Sequence, residues 1–438
     1  MIFDGAGART YASFPINDPE LFKRQMLTWV TPFDVCCFLD NQGYPSTSSF
    51  DYILAAGAID SCTASAGAAF PKLRTWAADR NDWVFGHFGF ELAAETENIP
   101  QGSSADEIGF PDLFFFIPEI VIVAQKDQVR IGSFHPGPDQ IHEAIIHTVP
   151  TEPDRLPIPV FTPRFTRDEY LSTVTDLRRH ILRGDCYEIN FCMEFFARSV
   201  FPDPLATWWA LSGASPNPFS AWYRVNDRSL FCASPERFLQ KKGNTLLSQP
   251  IKGTAPRVPS DPAADRLQSQ SLYHSRKDRA ENVMVVDLVR NDLSKICIPG
   301  TVRVTELYGI YAFPQVYQMI STVAGEIKPN VDWTDAVKAT FPMGSMTGAP
   351  KNSVLRLIRR YERSRRGLFS GAVGYIDPAG DFDFNVVIRS LLYNGEKGYL
   401  SYQVGSGITW YSDPAAEYEE CLLKAEGIRK AFTSPPPG

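Results

Sequence analysis

Several chemistries are excluded by what this sequence lacks. Its eight cysteines (Cys36, Cys37, Cys62, Cys186, Cys192, Cys232, Cys297 and Cys421) form no Cys-x-x-Cys pair, so the zinc and thioredoxin patterns are absent. Most sit in apolar surroundings such as Val35–Phe38 and read as reduced core thiols of a cytosolic protein. The six histidines show no His-x-x-x-His spacing, which argues against a histidine metal site. No long hydrophobic run occurs. The longest, near Leu113–Ala124, is interrupted by Pro118 and Glu119, whereas a membrane span needs ~20 apolar residues. It reads as a buried strand or strand pair. Net charge is −7, so no basic field invites nucleic acid or anionic lipid. Met1–Thr10 contains Asp4 and has no apolar core, so no secretory signal is expected. Gly344–Lys351 has the wrong spacing for a P-loop, no Gly-x-Gly-x-x-Gly opens a helix, and no solenoid repeat is visible.

What remains is a globular composition, 44% hydrophobic and 21% charged, in 438 residues, a length that suggests two or three domains. Strand-like aromatic segments fill the first third: Phe33–Leu39, Trp83–Leu92, Leu113–Ala124 and Val129–Phe134. A proline-rich stretch, Val149–Pro163, reads as a linker or crossing loop between a segment 1–150 and a region 164–433. Thr166–Leu182 has helical periodicity and stops at Gly184, and Ser434–Gly438 reads as a frayed tail. Strands and helices mix without strict alternation. The fold class is therefore α+β with mostly antiparallel sheets.

Chemistry-bearing residues concentrate in the C-terminal half. Ser412 or Asp413 can cap a helix with Pro414 in its first turn, and Glu417, Glu420 and Lys424 then share one face. Two carboxylates on one face can hold a hard divalent cation; a solvated charged face has the same pattern. A second helical segment, Lys277–Leu293, carries Glu281 near its start. Thr347 can cap a helix over Asn352–Tyr361, and free amides at a helix start attract a carboxylate. Gly348 precedes that helix, Gly405-Ser406-Gly407 follows a strand over Gly398–Val404, and Arg389 ends a strand-like run over Phe382–Ile388. Glycines let amides approach a ligand, and arginine presents a planar fork to a carboxylate.

Together with Gly184–Asn190, Ser234-Pro235-Glu236-Arg237-Phe238 and Pro250-Ile251-Lys252-Gly253-Thr254, these segments resemble the chorismate-utilising enzymes, densely from about Phe165 to Ala431 and faintly before. The resemblance implies two mostly antiparallel sheets packed across each other, flanked by helices, with N- and C-terminal segments interleaved. Lys252 resembles the amino-transferring branch; anthranilate synthases usually carry alanine there. The resemblance implies that Glu236, sixteen positions earlier, protonates the departing 4-hydroxyl of chorismate. Lys252 attacks carbon 2, and ammonia then expels the lysine to give 4-amino-4-deoxychorismate for 4-aminobenzoate and folate synthesis. A nucleophilic lysine must be neutral, so its pKa is expected to fall through desolvation or nearby positive charge.

By the same resemblance Glu281 and Glu420 bind Mg²⁺, with Glu417 helping directly or through water, and the metal clamps the ring carboxylate. Thr254, Gln318, Thr347, Gly348, Arg389, Gly405, Ser406, Gly407 and Lys424 form the substrate-binding set. Two positions depart from the pattern. Glu188 stands where aminating members commonly have glutamine and water-adding members lysine; it either attracts ammonium or hydrogen-bonds Asn190. Gln318 stands where histidine is usual, which fits an enzyme that stops before pyruvate elimination. No Gly-x-Cys-x-Gly elbow and no lyase module is found, so a separate glutaminase subunit and a downstream lyase are expected partners. The alternatives are anthranilate synthase component I and a chorismate-binding subunit without catalysis.

Overall fold

A computed structural model describes residues 8–44, 50–78, 80–102, 104–151 and 156–433. The expectations for the tail after Thr433, for residues 1–7 and for part of the proline-rich stretch lie outside these residues. Two sheets of twelve and ten strands account for all the described strands, and every pairing among them is antiparallel.

One hydrophobic core lies between the sheets and another between the larger sheet and a layer of helices. Alternation along the strands produces this. In the Tyr52–Ala56 strand, Ile53 and Ala55 join the intersheet core while Tyr52, Leu54 and Ala56 join the helix side. Helices Pro19–Trp29, Pro138–Ile146, Arg167–Leu182 and Pro204–Ala214 cover that second face with Met26, Ile141, Val174 and Trp208 among others. All eight cysteines are buried and unpaired.

The interrupted apolar run is a strand pair, Leu113–Ile117 in the smaller sheet and Ile120–Gln125 in the larger, with the chain crossing between sheets at Pro118-Glu119. The helix expected over Thr166–Leu182 spans Arg167–Leu182. Thr166 and Glu169 form a reciprocal capping box, and Gly184 follows at φ +84. Early and late segments share sheets: Val35–Asp40 pairs with Phe219–Val225, and Val84–Phe88 with Ala372–Ile376.

Two strand boundaries differ from the sequence reading. The run over Phe382–Ile388 is a strand only as far as Asn385, because the Val386 and Val387 amides turn to the carbonyls of Glu236 and Gly371. The strand read as Gly398–Val404 continues to Ile408, so the three residues 405–407 lie within it rather than in a following loop. Their backbone pairs with Asn190–Cys192.

Candidate active site

The pentapeptide containing Lys252 owes its shape to a β-bulge. Strand Ile251–Pro256 pairs with Val316–Glu326 so that Ile251 faces Ile320 but Thr254 faces Gln318. One extra residue is thus inserted opposite the partner strand, and such bulges re-aim side chains. Gly253 adopts φ +96, and a Cβ there would stand 2.9 Å from the Cβ of Asp278 on helix Arg276–Ile296. A residue without a Cβ is needed for both reasons. The bulge turns Lys252 toward the larger sheet, where its Nζ donates to Glu188 Oε1 at 2.6 Å.

Gly407 marks the point of convergence. A Cβ on it would stand 2.8 Å from Glu188 Oε1, 3.0 Å from Lys252 Nζ and 3.6 Å from Glu281 Oε2. The missing side chain leaves space where two strands of the larger sheet, one of the smaller and the Arg276–Ile296 helix meet. Glu188 is 2% exposed, and its second oxygen, Oε2, has no hydrogen-bond partner.

The electrostatics correct the expectation for Lys252. Burial works to lower its pKa, but Glu188, Glu281 and Glu236 outweigh burial and hold it above the usual lysine range. Carboxylates surround it where positive charge was expected, so the resting lysine is an ammonium ion.

Glu236 sits at the corner where the chain passes from Arg228–Ser234 in the larger sheet to Arg237–Lys242 in the smaller. Its neighbour Arg237 does not pair with it. That guanidinium forms a two-pronged bridge to Asp383, 2.9 Å at each contact, and also donates to Gln249. Glu236 is left buried without an ion-pair partner among the described residues. Burial pushes its carboxyl up to about 7, with Ser345, Lys252 and the Ile251 amide pulling the other way. A carboxyl in that range can deliver a proton near neutrality.

The acidic helix forms as expected over Pro414–Lys424, with Asp413 accepting hydrogen bonds from the Ala415 and Ala416 amides. Lys424 is 2.7 Å from Glu420 Oε1 and donates to the Gly405 carbonyl at 2.8 Å. Burial pushes Glu420 up, but Lys424, Lys277 and Lys252 bring its carboxyl below the usual range. Arg389, in the left-handed region at φ +54, donates a hydrogen bond to the Lys424 carbonyl and forms no ion pair among the described residues. Burial holds it below its usual range, at about 10, against the pull of Glu420. An arginine left without an anion is suited to a substrate carboxylate.

Lys277, which the sequence reading passed over, bridges Glu417 at 3.3 Å and Glu281 at 3.9 Å. Its place one helical turn before Glu281 was the available signal. Glu281 Oε1 and Glu417 Oε2 are both buried without hydrogen-bond partners. Burial pushes Glu281 up to about 7, opposed by Lys252. Two orphaned hard oxygens and an ammonium already between their carboxylates fit a divalent cation, of the kind that takes one or two carboxylates plus water and substrate oxygens. Among the described residues no three such side chains stand close enough to hold a metal by themselves. Glu420 is paired to Lys424 and acts electrostatically on both Glu281 and Lys277.

Other predicted residues sit differently. Ser406 points to the opposite face of its strand, its hydroxyl 3.2 Å from the Tyr170 hydroxyl, so it reaches the site only through its backbone. Thr347 does not cap the following helix. Helix Lys351–Tyr361 begins after Pro350, and the Thr347 hydroxyl donates back to the Met343 carbonyl at 3.1 Å. The separation arises because Gly348-Ala349 is an extended strand paired with Glu188-Ile189. Gly348, at φ +134, allows this approach; a Cβ would lie 2.1 Å from the Glu188 carbonyl oxygen. Thr254 is exposed, whereas Gln318 opposite it is buried with Oε1 unpartnered.

The profile of the chorismate binding enzymes matches residues 36–430, and the chain belongs to that family. Within the family it is 35% identical over 348 residues to aminodeoxychorismate synthase component 1 of Salmonella typhimurium, covering 79% of this chain and 75% of that protein. It is 34% identical to an anthranilate synthase component I-like protein of Synechocystis sp., covering 80% and 72%. Among solved structures, the menaquinone-specific isochorismate synthase of Escherichia coli superposes with a TM-score of 0.78 at 16% identity, covering 97% of this chain and 94% of that one. This last likeness bears out the expected fold of two antiparallel sheets with flanking helices. Like its relatives the chain is a chorismate-utilising enzyme.

Proposed function

We propose that this enzyme replaces the 4-hydroxyl of chorismate with ammonia, giving 4-amino-4-deoxychorismate. The observation that carries this reading is a lysine turned inward by a bulge, its side chain 11% exposed, and electrostatically coupled to the buried Glu236. Arg389 offers an unpaired guanidinium to a substrate carboxylate, and amides around Gly405, Gly407 and Gly348 can approach the same anion.

Glu236 donates its proton to the hydroxyl leaving carbon 4, and Lys252, once freed of its own proton, bonds to carbon 2. Ammonia then bonds to carbon 4 and the carbon–lysine bond breaks. Two displacements return the substituent to the original carbon. Glu281 and Glu417, with Glu420 nearby, would hold Mg²⁺, which supplies positive charge for the ring carboxylate.

The name of the Salmonella relative, component 1, supports a separate partner that releases ammonia from glutamine. Loss of pyruvate to form 4-aminobenzoate for folate would fall to a downstream lyase. A cytoplasmic setting is supported by eight unpaired cysteines and by the lack, among the described residues, of a helix long and apolar enough to cross a membrane.

The test is incubation with chorismate, Mg²⁺ and ammonium at mildly alkaline pH, with products identified by mass spectrometry. The expected product is 4-amino-4-deoxychorismate, converted to 4-aminobenzoate only after a lyase is added. Anthranilate and pyruvate without a lyase would assign the chain to the anthranilate-forming reaction instead. Binding of chorismate with no turnover would leave a non-catalytic subunit.

A further inference from the structure

A lysine that must attack carbon cannot do so as an ammonium ion, and the resting Lys252 is one. We propose that Glu188 is the base that takes the proton from Lys252 before attack and returns it when the lysine is expelled. The assignment rests on the amination reading above and adds to it a role for a residue outside the expected catalytic pair.

Geometry carries it. The Lys252 ammonium donates to Glu188 Oε1 at 2.6 Å, so transfer needs no movement of either side chain. The two side chains are 11% and 2% exposed, which leaves little bulk water to serve as acceptor. Glu188 Oε2 has no hydrogen-bond partner among the described residues, so the donor that this carboxylate meets is Lys252 itself. The acids facing Lys252 from the other elements are less suited. Glu236 at the sheet corner must be protonated to release the hydroxyl. Glu281 on the packed helix forms no ion pair with Lys252 and lies 3.9 Å from Lys277. Moving the proton turns a buried ion pair into a neutral acid and a neutral amine, a change that exclusion of water by the substrate favours.

The protons balance. At the start Lys252 is an ammonium ion, Glu188 a carboxylate and Glu236 an acid. Transfer gives a neutral amine and a protonated Glu188. The amine's lone pair forms the bond to carbon 2, the ring double bond shifts, and the carbon 4–oxygen bond breaks. The leaving oxygen takes the Glu236 proton and departs as water, leaving a secondary ammonium adduct. Ammonia then bonds to carbon 4 and Lys252 leaves as a neutral amine. Glu188 returns its proton to Lys252, and the new ammonium on the product gives one to Glu236. The sum is chorismate plus ammonia to aminodeoxychorismate plus water, with every enzyme group restored.

The test compares wild type with E188Q and E188D across pH 6.5–9 at a fixed concentration of free ammonia. E188Q is expected to lose on the order of 10²-fold in kcat at pH 7, the usual size of a general-base contribution. Its rate relative to wild type should climb roughly tenfold per pH unit, as solvent takes over deprotonation of Lys252. E188D should keep the wild-type pH dependence at a reduced rate. A wild-type rate and profile in E188Q would overturn the assignment. So would a loss whose ratio to wild type does not change with pH, since that marks a structural role only. Failure of wild type to aminate chorismate at all would sink the amination reading, a result distinct from either. Melting temperatures and circular dichroism establish that each variant is folded.

Discussion

Glu236 holds a carboxyl in an environment that favours its neutral form, with consequences for stability as well as chemistry. Its folded pKa, about 7, lies above the 4.5 of a free glutamic acid. Between these values the folded protein binds more protons than the unfolded chain, so this residue makes stability fall as pH rises through that window. Glu236→Gln should therefore stabilise the protein at pH 8 by on the order of 3 kcal/mol while abolishing amination, and should change stability little at pH 4. Melting curves at the two pH values check this; equal curves at pH 8 would mean the carboxyl is not held neutral. For the wild type, kcat should decline above about pH 7 as this acid ionises. Lys252 and Glu236 could be singled out in the sequence because the segments that flank them resemble those of the family. The charge state of Lys252 was not legible. It depends on Glu188, 64 positions away in sequence and brought close only by the meeting of two sheets.

Helices were read well because their signals are local. Thr166 with Glu169, and Asp413 with Pro414, announce helix starts within a few residues. Strand ends were read less well, since pairing partners decide them. The 405–407 segment looks like a loop by composition, yet it is held in a strand by Asn190–Cys192. That pairing also decides which residues face the site: alternation sends Ser406 toward Tyr170 and leaves Gly405 and Gly407 on the other face. Gly407 needs no special backbone conformation; it is needed for the space it leaves. Gly407→Ala should fold normally, because the nearest atoms its Cβ would meet are the side-chain ends of Glu188, Lys252 and Glu281 and not backbone. It should reduce turnover on the order of 10²-fold by displacing the nucleophile. Normal turnover would show that the reacting groups do not converge at this point.

At the scale of the whole molecule, the site is a product of interleaving. The expected boundary at Val149–Pro163 is crossed by strand pairing in both sheets, and the intersheet core takes Phe85, Phe115 and Ile53 from before it with Leu239, Phe384 and Val387 from after it. Residues 164–433 expressed alone would expose the edge of Phe219–Val225 and lose much of that core. They should show no cooperative unfolding transition. A folded fragment that still binds chorismate would refute this. The claim on which the whole account turns is a covalent bond to Lys252, and it can be seen by mass. Enzyme mixed with chorismate and Mg²⁺ without ammonia, quenched rapidly, should gain the mass of chorismate less one water, located on the peptide containing Lys252 and absent from Lys252→Ala. Aminated product formed on adding ammonia, with no such gain before it and with Lys252→Ala equally active, would contradict the account.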